Sequence, residues 1–153
     1  MAKKNKRQSK ESEALQLLID IRQINHLVEA LQEQIDEIHT TLTNATVKPK
    51  EINVQTSLPK DPMADLVIQM VEFQKEIQDY QKELVEKKTH ALKIVKMMDF
   101  DNQTIILLRF FRGFTYEEIG EHLGYSQAQT WRLLDKAKEE FIRVYKMNKN
   151  EVE

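Results

Sequence analysis

The three prolines and three glycines of this chain lie in two narrow clusters, and those clusters limit where long helices can form. The prolines are Pro49, Pro59 and Pro62, and the glycines are Gly113, Gly120 and Gly124. Proline removes a backbone donor and clashes with the preceding helical turn, while glycine commonly ends a helix. The chain therefore has room for long helices before and between the two clusters. Around the glycines it predicts short helices and tight turns.

Two heptad patterns occupy the stretches that lack helix breakers. Apolar residues recur there at alternating steps of three and four, which marks the buried face of a long amphipathic helix. The first stripe comprises Ala14, Leu17, Ile21, Ile24, Val28, Leu31, Ile35, Ile38 and Leu42. The second stripe comprises Met63, Leu66, Met70, Phe73, Ile77, Tyr80, Leu84, Ala91, Ile94 and Met98, and Lys87 interrupts it. We expect two long helices, at residues 13–43 and 62–98, joined by a linker at 44–61.

Each apolar stripe needs a partner. The two helices can fold back on each other as an antiparallel hairpin within one chain, or they can pair with a second copy, as in four-helix dimers. β-Branched residues at several heptad positions are compatible with a dimeric coiled coil. We expect a homodimer through the long helices. The sequence leaves open whether the helices pair within one chain or between two.

Local signals mark the ends of these segments. Residues 1–12 are polar, and the first ten include five basic side chains and no acidic one, so we expect a disordered basic tail. Such a tail either keeps the chain soluble or adds phosphate contacts. Asp61 before Pro62 is a strong helix start, because Asp caps a first turn and Pro fits its first position.

Composition excludes several classes of function. The chain has no cysteine, which excludes disulfides, a thiol nucleophile and Cys-based metal sites. The four histidines lack the spacing of metal ligands. The sequence has no glycine-rich phosphate loop and no pattern that would activate a nucleophile. We expect no catalytic residue, no metal site, no cofactor and no enzyme activity. No apolar run suits a signal peptide or a membrane span, so we expect a cytoplasmic protein without a membrane partner.

Residues 99–149 have the pattern of three helices in a helix-turn-helix domain. Thr115, with Glu118 three residues later, predicts a capping box, and Gly124 suits the left-handed residue of a tight turn. Ser126 can cap the last helix. Residues that share one face of that helix should pack on the two earlier helices, namely Thr130, Leu133, Ala137 and Phe141. The predicted fold class is all-α: a long helical hairpin or coiled coil followed by a C-terminal three-helix helix-turn-helix domain.

The C-terminal pattern resembles the helix-turn-helix of sigma factor region four. The resemblance rests on the segment Thr115-x-Glu-Glu-Ile-Gly-x-x-Leu-Gly-x-Ser126, on Ala137, and on the apolar helix at 105–111. It implies a DNA-binding domain. The order of a coiled-coil region before such a module also resembles the phage-encoded late transcription regulators of the ArpU and RinA type. That second resemblance implies a phage or prophage activator of late genes.

In such modules the second helix enters the major groove with its first residues on base edges. By position, the resemblance implies a DNA-binding set of Ser126, Gln127, Ala128, Gln129, Trp131, Arg132, Lys136 and Arg112. Gln can pair with adenine and Arg with guanine, while an Ala methyl can touch a thymine methyl. The phosphate contacts would come from Lys136, Lys138 and Arg112. Sigma factors often have basic residues where this chain has the segment 127–129, so we expect two modules to share the binding.

The predicted function is a sequence-specific, DNA-binding transcriptional regulator of phage or prophage type, acting as an activator. Its expected partners are double-stranded DNA, a second copy of the chain and, as an option, RNA polymerase. A sigma-like adaptor that binds RNA polymerase with little direct DNA contact is one alternative, because the recognition helix begins with few charges. A phage packaging or replication accessory protein is another. The order of segments counts against it, since small packaging subunits usually carry the DNA module first.

Overall fold

The computed structural model describes residues 2–47 and 61–152. All regular secondary structure in these two ranges is helical, which confirms the predicted all-α class. The helices are α1 (Ala2–Val47), α2 (Pro62–Val95), α3 (Phe100–Ile106), α4 (Tyr116–Leu123) and α5 (Gln127–Val152). A π-helical segment, Leu107–Phe111, continues α3. The order is two long helices followed by a C-terminal helical domain.

Helix α1 is longer than the predicted range 13–43. It begins at Ala2, inside the segment expected to be a disordered tail, where Lys, Gln and Glu favour a helix. It also continues past Thr40, Thr41 and Thr43, although threonine is a weak helix former. Their hydroxyls donate to the carbonyl four residues back, so Thr40 binds Asp36 at 2.9 Å. Local back-bonding thus satisfies these side chains without ending the helix.

The start of α2 follows the predicted signal. The Asp61 Oδ1 atom accepts the Met63 N–H at 3.1 Å, and the helix begins at Pro62. The aspartate caps the first turn, where backbone N–H groups have no helical partner. Most of the expected linker 44–61 lies outside the described residues.

The fold divides into two compact units, and both long helices contribute to each. Unit 1 comprises residues 1–26 and 83–153, and unit 2 comprises residues 27–82. This division differs from the boundary near residue 98 expected from the sequence. The reason is that the first part of α1 and the last part of α2 share a core with α3, α4 and α5.

Unit 1 contains the main hydrophobic core. Buried side chains come from every helix of the unit, including Leu18, Ile21, Ile94, Ile106, Ile119, Leu134 and Phe141. Leu18 lies outside the predicted stripe, yet it is fully buried, because this part of α1 contacts more than one helix.

Ion pairs also connect the helices of unit 1. Lys87 of α2 forms an ion pair with Asp20 at 3.0 Å, and Lys146 of α5 forms one with Glu11 at 2.5 Å.

The Lys87–Asp20 ion pair explains the one polar interruption of the second stripe. Both side chains are only 27% exposed. Burial by itself would raise the pKa of the Asp20 carboxyl, but hydrogen bonds from Gln16 and Lys87 outweigh it and leave that pKa below its usual value. Lys87 therefore interrupts the apolar stripe because it makes an ionic contact between α2 and α1.

Unit 2 is formed by the second part of α1 and the first part of α2. Ile35, Ile38 and Ile77 are buried, and the other predicted stripe residues of this unit are half-buried. The heptad pattern is thus confirmed as the inner face of both helices. Val67, Ile68 and Val71 of α2 lie outside the stripe and are exposed.

The π-helical segment changes which aromatic side chain is buried after α3. Ile105, Leu108 and Phe111 are at helical spacing, which would place Phe111 on the inner face of a regular α-helix. Phe110 is buried instead, because the Arg112 N–H bonds to the Leu107 carbonyl five residues back and shifts the register. The Phe111 carbonyl accepts a hydrogen bond from the Asn25 side chain at 2.9 Å, which ties this segment to α1.

Candidate nucleic-acid interface

Helix α4 is fixed at both ends by the residues that the sequence singled out. Thr115 has an extended backbone, and its hydroxyl accepts the Glu118 N–H at 3.2 Å. Gly124 ends the helix with φ 74° and ψ 31°, the left-handed conformation that glycine adopts without strain. The Tyr125 N–H then bonds to the Gly120 carbonyl at 2.8 Å, which closes the turn.

Gly120 allows α5 to pack closely on α4. A Cβ atom at this position would lie 2.9 Å from the Tyr125 carbonyl oxygen and 3.1 Å from the Thr130 hydroxyl oxygen. The Tyr125 oxygen belongs to the backbone and cannot move aside easily. Thr130 is 1% exposed, and its hydroxyl donates to the Ser126 carbonyl at 3.0 Å. A side chain at position 120 would therefore force α4 and α5 apart.

Helix α5 begins with a complete capping box. The Ser126 hydroxyl oxygen accepts the Gln129 N–H at 3.3 Å, and the Gln129 Oε1 atom accepts the Ser126 N–H at 3.1 Å. The Ser126 hydroxyl also lies 3.3 Å from Oε1. The Ser-x-x-Gln spacing that specifies this motif is visible in the sequence. Our sequence reading assigned Gln129 only to base contacts and missed its capping role.

The inner face of α5 also differs by one position from the prediction. Thr130, Ala137 and Phe141 are buried as expected, but Leu133 is only half-buried, and Leu134 takes the inner place. A step of four from Thr130 to Leu134 keeps both on one side of the helix. The buried face therefore runs through residues 130, 134, 137 and 141.

The predicted DNA-binding residues are all exposed. They are Ser126, Gln127, Ala128, Gln129, Trp131, Arg132, Lys136 and Arg112. Seven of the eight lie at the start of α5 or directly before it, on the exposed sides of a stretch whose buried residues are Thr130 and Leu134. Arg112 follows the π-helical segment, and its guanidinium lies 5.2 Å from the centre of the Phe114 ring. The start of α5 thus presents an exposed and largely polar surface.

An aromatic and cationic stack supports this surface from one side. The rings of Trp131 and Tyr116 are stacked, with centroids 4.8 Å apart and planes inclined by 20°. The Arg109 guanidinium lies 4.2 Å from the centre of the Tyr116 ring, and its Nη1 atom donates to the Phe114 carbonyl at 2.9 Å. Trp131 is nevertheless 48% exposed. Its packing against Tyr116 orients the indole and leaves an edge free.

Arg109 is a cationic residue of this region that the sequence reading did not single out. Burial lowers the pKa of its guanidinium, and the positive charge of Arg22 on α1 lowers it further. The two cations are therefore close enough to repel each other. Nothing in the local sequence pattern indicates this pairing, because Arg22 and Arg109 are far apart in the chain.

Comparison with protein families supports a helix-turn-helix of known type. Residues 97–139 match the family model described as sigma-70, region 4. The match covers α3, the π-helical segment, α4 and the first half of α5. It indicates a DNA-binding helix-turn-helix with a role related to transcription. No curated protein matches the chain significantly, and no solved structure does so either.

Among the described residues, no helix is both long and apolar enough to cross a membrane. Within the same ranges, no group of His, Asp and Glu residues is arranged to hold a metal ion.

Proposed function

We propose that this protein is a sequence-specific DNA-binding transcriptional regulator and not an enzyme. The proposal takes residues 97–139 as a helix-turn-helix like that of sigma-70 region 4. The first turns of α5 enter the major groove. One observation carries this proposal: the start of α5 is exposed around Gln127 and Arg132, while its other side is sealed against α3 and α4. A helix with this division of faces matches the recognition helix of such modules.

The proposed contacts fall into two groups. Gln127 and Arg132 read base edges through their amide and guanidinium groups, and Ala128 offers a methyl group to thymine. Lys136 and Arg112 contact phosphates and set the register on the duplex. Ser126 and Gln129 hold the first turn through the capping box, in which the side chain of each accepts the backbone N–H of the other.

The proposal is tested by selecting a binding site from random duplexes and then measuring Kd by fluorescence anisotropy. Arg132→Ala is expected to weaken binding to the selected site by about tenfold or more, since a base-reading pair is worth about 1–3 kcal/mol. It should also relax specificity at one base pair. Arg143→Ala is the matched control, because Arg143 is exposed on α5 well beyond the first turns. Equal losses in both variants, or no selected sequence at all, would refute base reading by α5.

The finer assignment is a phage or prophage regulator that activates transcription as a homodimer, in the cytoplasm where its DNA lies. The resemblance in segment order to the ArpU and RinA type supports the phage assignment. The exposed apolar residues Val67, Ile68 and Val71 support dimer formation through unit 2, because large apolar groups on one helix stretch favour burial. Two linked modules would bind two half-sites with raised overall affinity.

A sigma-like adaptor that binds RNA polymerase is the second candidate function. An apolar patch on the C-terminal domain favours it: Phe100 is 79% exposed, and it lines a cavity of about 210 Å³ together with Leu123 and Tyr125. A Phe100→Ser variant separates the two functions. An adaptor would lose binding to purified polymerase and would bind DNA weakly with or without the substitution. A regulator that acts through DNA would keep its Kd for the selected site.

A further inference from the structure

A cationic pocket lies within unit 1, between α1 and the C-terminal helices. It has a volume of about 310 Å³, and its polar lining comes from Arg22, Gln23, Arg109, Tyr116 and Lys138. Leu15 and Ile19 of α1 line it on the apolar side. In the part of the chain that the structure describes, no acidic side chain lines this pocket. Three cations converge there without a carboxylate.

Within the described part of the chain, the Arg22 side chain lacks a hydrogen-bond acceptor, which a bound ligand would supply. Its Nε atom is buried and has no hydrogen-bond partner among the described residues. A buried donor without a partner is destabilising, so native structures seldom keep one without a reason. Asp20, two residues before Arg22 on α1, is already paired with Lys87. Burial and the charge of Arg22 both lower the pKa of Arg109, so the two guanidiniums repel each other until an anion joins them.

We propose that Arg22, Arg109 and Lys138 form an oxyanion site that receives a backbone phosphate of the bound DNA. Guanidinium groups are well suited to phosphate, because their donors match two oxygens at once. The volume exceeds that of a phosphate, and Leu15 and Ile19 suit the carbon atoms of the attached sugar. This inference rests on the proposed function, and it makes the long helix α1 a part of the DNA interface.

The position of the pocket favours a backbone phosphate. Tyr116 lines the pocket, and the same ring is stacked on Trp131 at the start of α5. Lys138 lies seven residues after Trp131, which is two helical turns on the same side of α5. The pocket is therefore adjacent to the surface proposed to enter the groove, where the sugar-phosphate strands run.

The first arm of the test measures how DNA binding depends on salt. Each neutralised phosphate adds about 0.9 to the slope of log K against log salt concentration. We expect Arg22→Gln to reduce this slope by about that amount, and Arg143→Gln, an exposed arginine outside the pocket, to leave it unchanged. Arg22→Lys should keep most of the slope, because it keeps the charge, yet it should weaken binding by losing the Nε donor. An Arg22→Gln slope equal to that of the wild type would overturn the DNA contact.

The second arm uses inorganic phosphate and separates this site from the proposed function. At constant ionic strength, phosphate in place of chloride should raise the melting temperature of the wild type and not that of Arg22→Gln. Without ligand, Arg22→Gln should melt no lower than the wild type, since it removes an unpaired donor; a clearly lower value would indicate a structural role and overturn the proposal. If the wild type binds no DNA but phosphate still acts through Arg22, the proposed function fails and the ligand is a free phosphate compound. If neither ligand acts through Arg22, the site does not exist.

Discussion

The two glutamines at the start of α5, Gln127 and Gln129, were both predicted to contact DNA bases, but only Gln127 has a side chain that is free to do so. Gln127 is exposed and its side chain makes no hydrogen bond within the described residues, whereas the Gln129 Oε1 atom is bonded to Ser126. A glutamine that binds adenine in a bidentate manner needs both its oxygen and its amino group. Gln127 is free to do so, and Gln129 must first break the capping box.

We expect the two alanine variants to differ in kind. Gln127→Ala should weaken binding to the selected DNA site by about 1–3 kcal/mol and leave the melting temperature unchanged. Gln129→Ala should lower the stability of the domain by about 1 kcal/mol, because it opens the capping box. Urea unfolding and anisotropy measure the two effects.

A third variant controls for this interpretation. Gln129→Glu keeps an acceptor for the Ser126 N–H, so it should retain the stability that Gln129→Ala loses. Its added negative charge should weaken DNA binding. If Gln129→Ala unfolds like the wild type while Gln127→Ala binds DNA normally, the division of roles between the two residues is incorrect.

At the scale of helices, the pairing of α1 with α2 combines an apolar stripe with one ion pair. Lys87 occupies a heptad position that the sequence pattern reserves for an apolar residue. It contacts Asp20 across the helices and also lies 3.8 Å from Glu83 on its own helix. A charged residue in such a stripe fixes the register at a cost in stability.

The Asp20–Lys87 pair should make part of the stability dependent on pH. The folded-state pKa of Asp20 is lowered, so its contribution is present above the ordinary pKa of about 4 and is lost as the pH falls through the lowered value. We expect a double-mutant cycle with Asp20→Asn and Lys87→Gln to give a coupling of about 1 kcal/mol at pH 7. The coupling should be smaller at about pH 2, because acid protonates carboxylates.

Urea unfolding of the four proteins at both pH values measures this coupling. Glu83→Gln is a useful control, because Glu83 is the more exposed neighbour of Lys87 and should couple to it more weakly. A coupling that stays the same at both pH values would show that the contact is not ionic.

At the scale of the whole molecule, the remaining question is what covers unit 2. Its inner stripe is satisfied by pairing of α1 with α2, and Leu31 belongs to that stripe. Val67 and Val71 lie outside it and are exposed, four residues apart on one side of α2. The inner stripe and the outer patch therefore make separate contributions that can be tested separately.

We expect the wild type to be a dimer in sedimentation and light-scattering measurements. Val67→Lys with Val71→Lys should reduce the mass to that of a monomer, because two charges would have to be buried at the interface. The intrinsic stability of each chain should change little. Leu31→Lys should instead lower the melting temperature, because it disrupts the stripe within the chain. A wild-type mass equal to that of one chain would contradict dimer formation.

The amino-acid sequence alone determined the features that depend on neighbouring residues. The all-α class, the helix start at Pro62, the heptad stripes and the left-handed turn at Gly124 follow from caps, breakers and periodicity, which act over a few residues. The start of α5 belongs here as well, and its capping box was visible in the Ser-x-x-Gln spacing.

The features that join distant parts of the chain depend on tertiary packing and could be seen only in the structure. The meeting of Arg22 with Arg109, the ion pair of Asp20 with Lys87 and the shared core of unit 1 have no local signal, because the residues involved lie on different helices. The π-helical register that buries Phe110 in place of Phe111 belongs to the same group. The periodicity of apolar residues predicts which face of a helix is buried, but the partner that covers this face depends on how the whole chain packs.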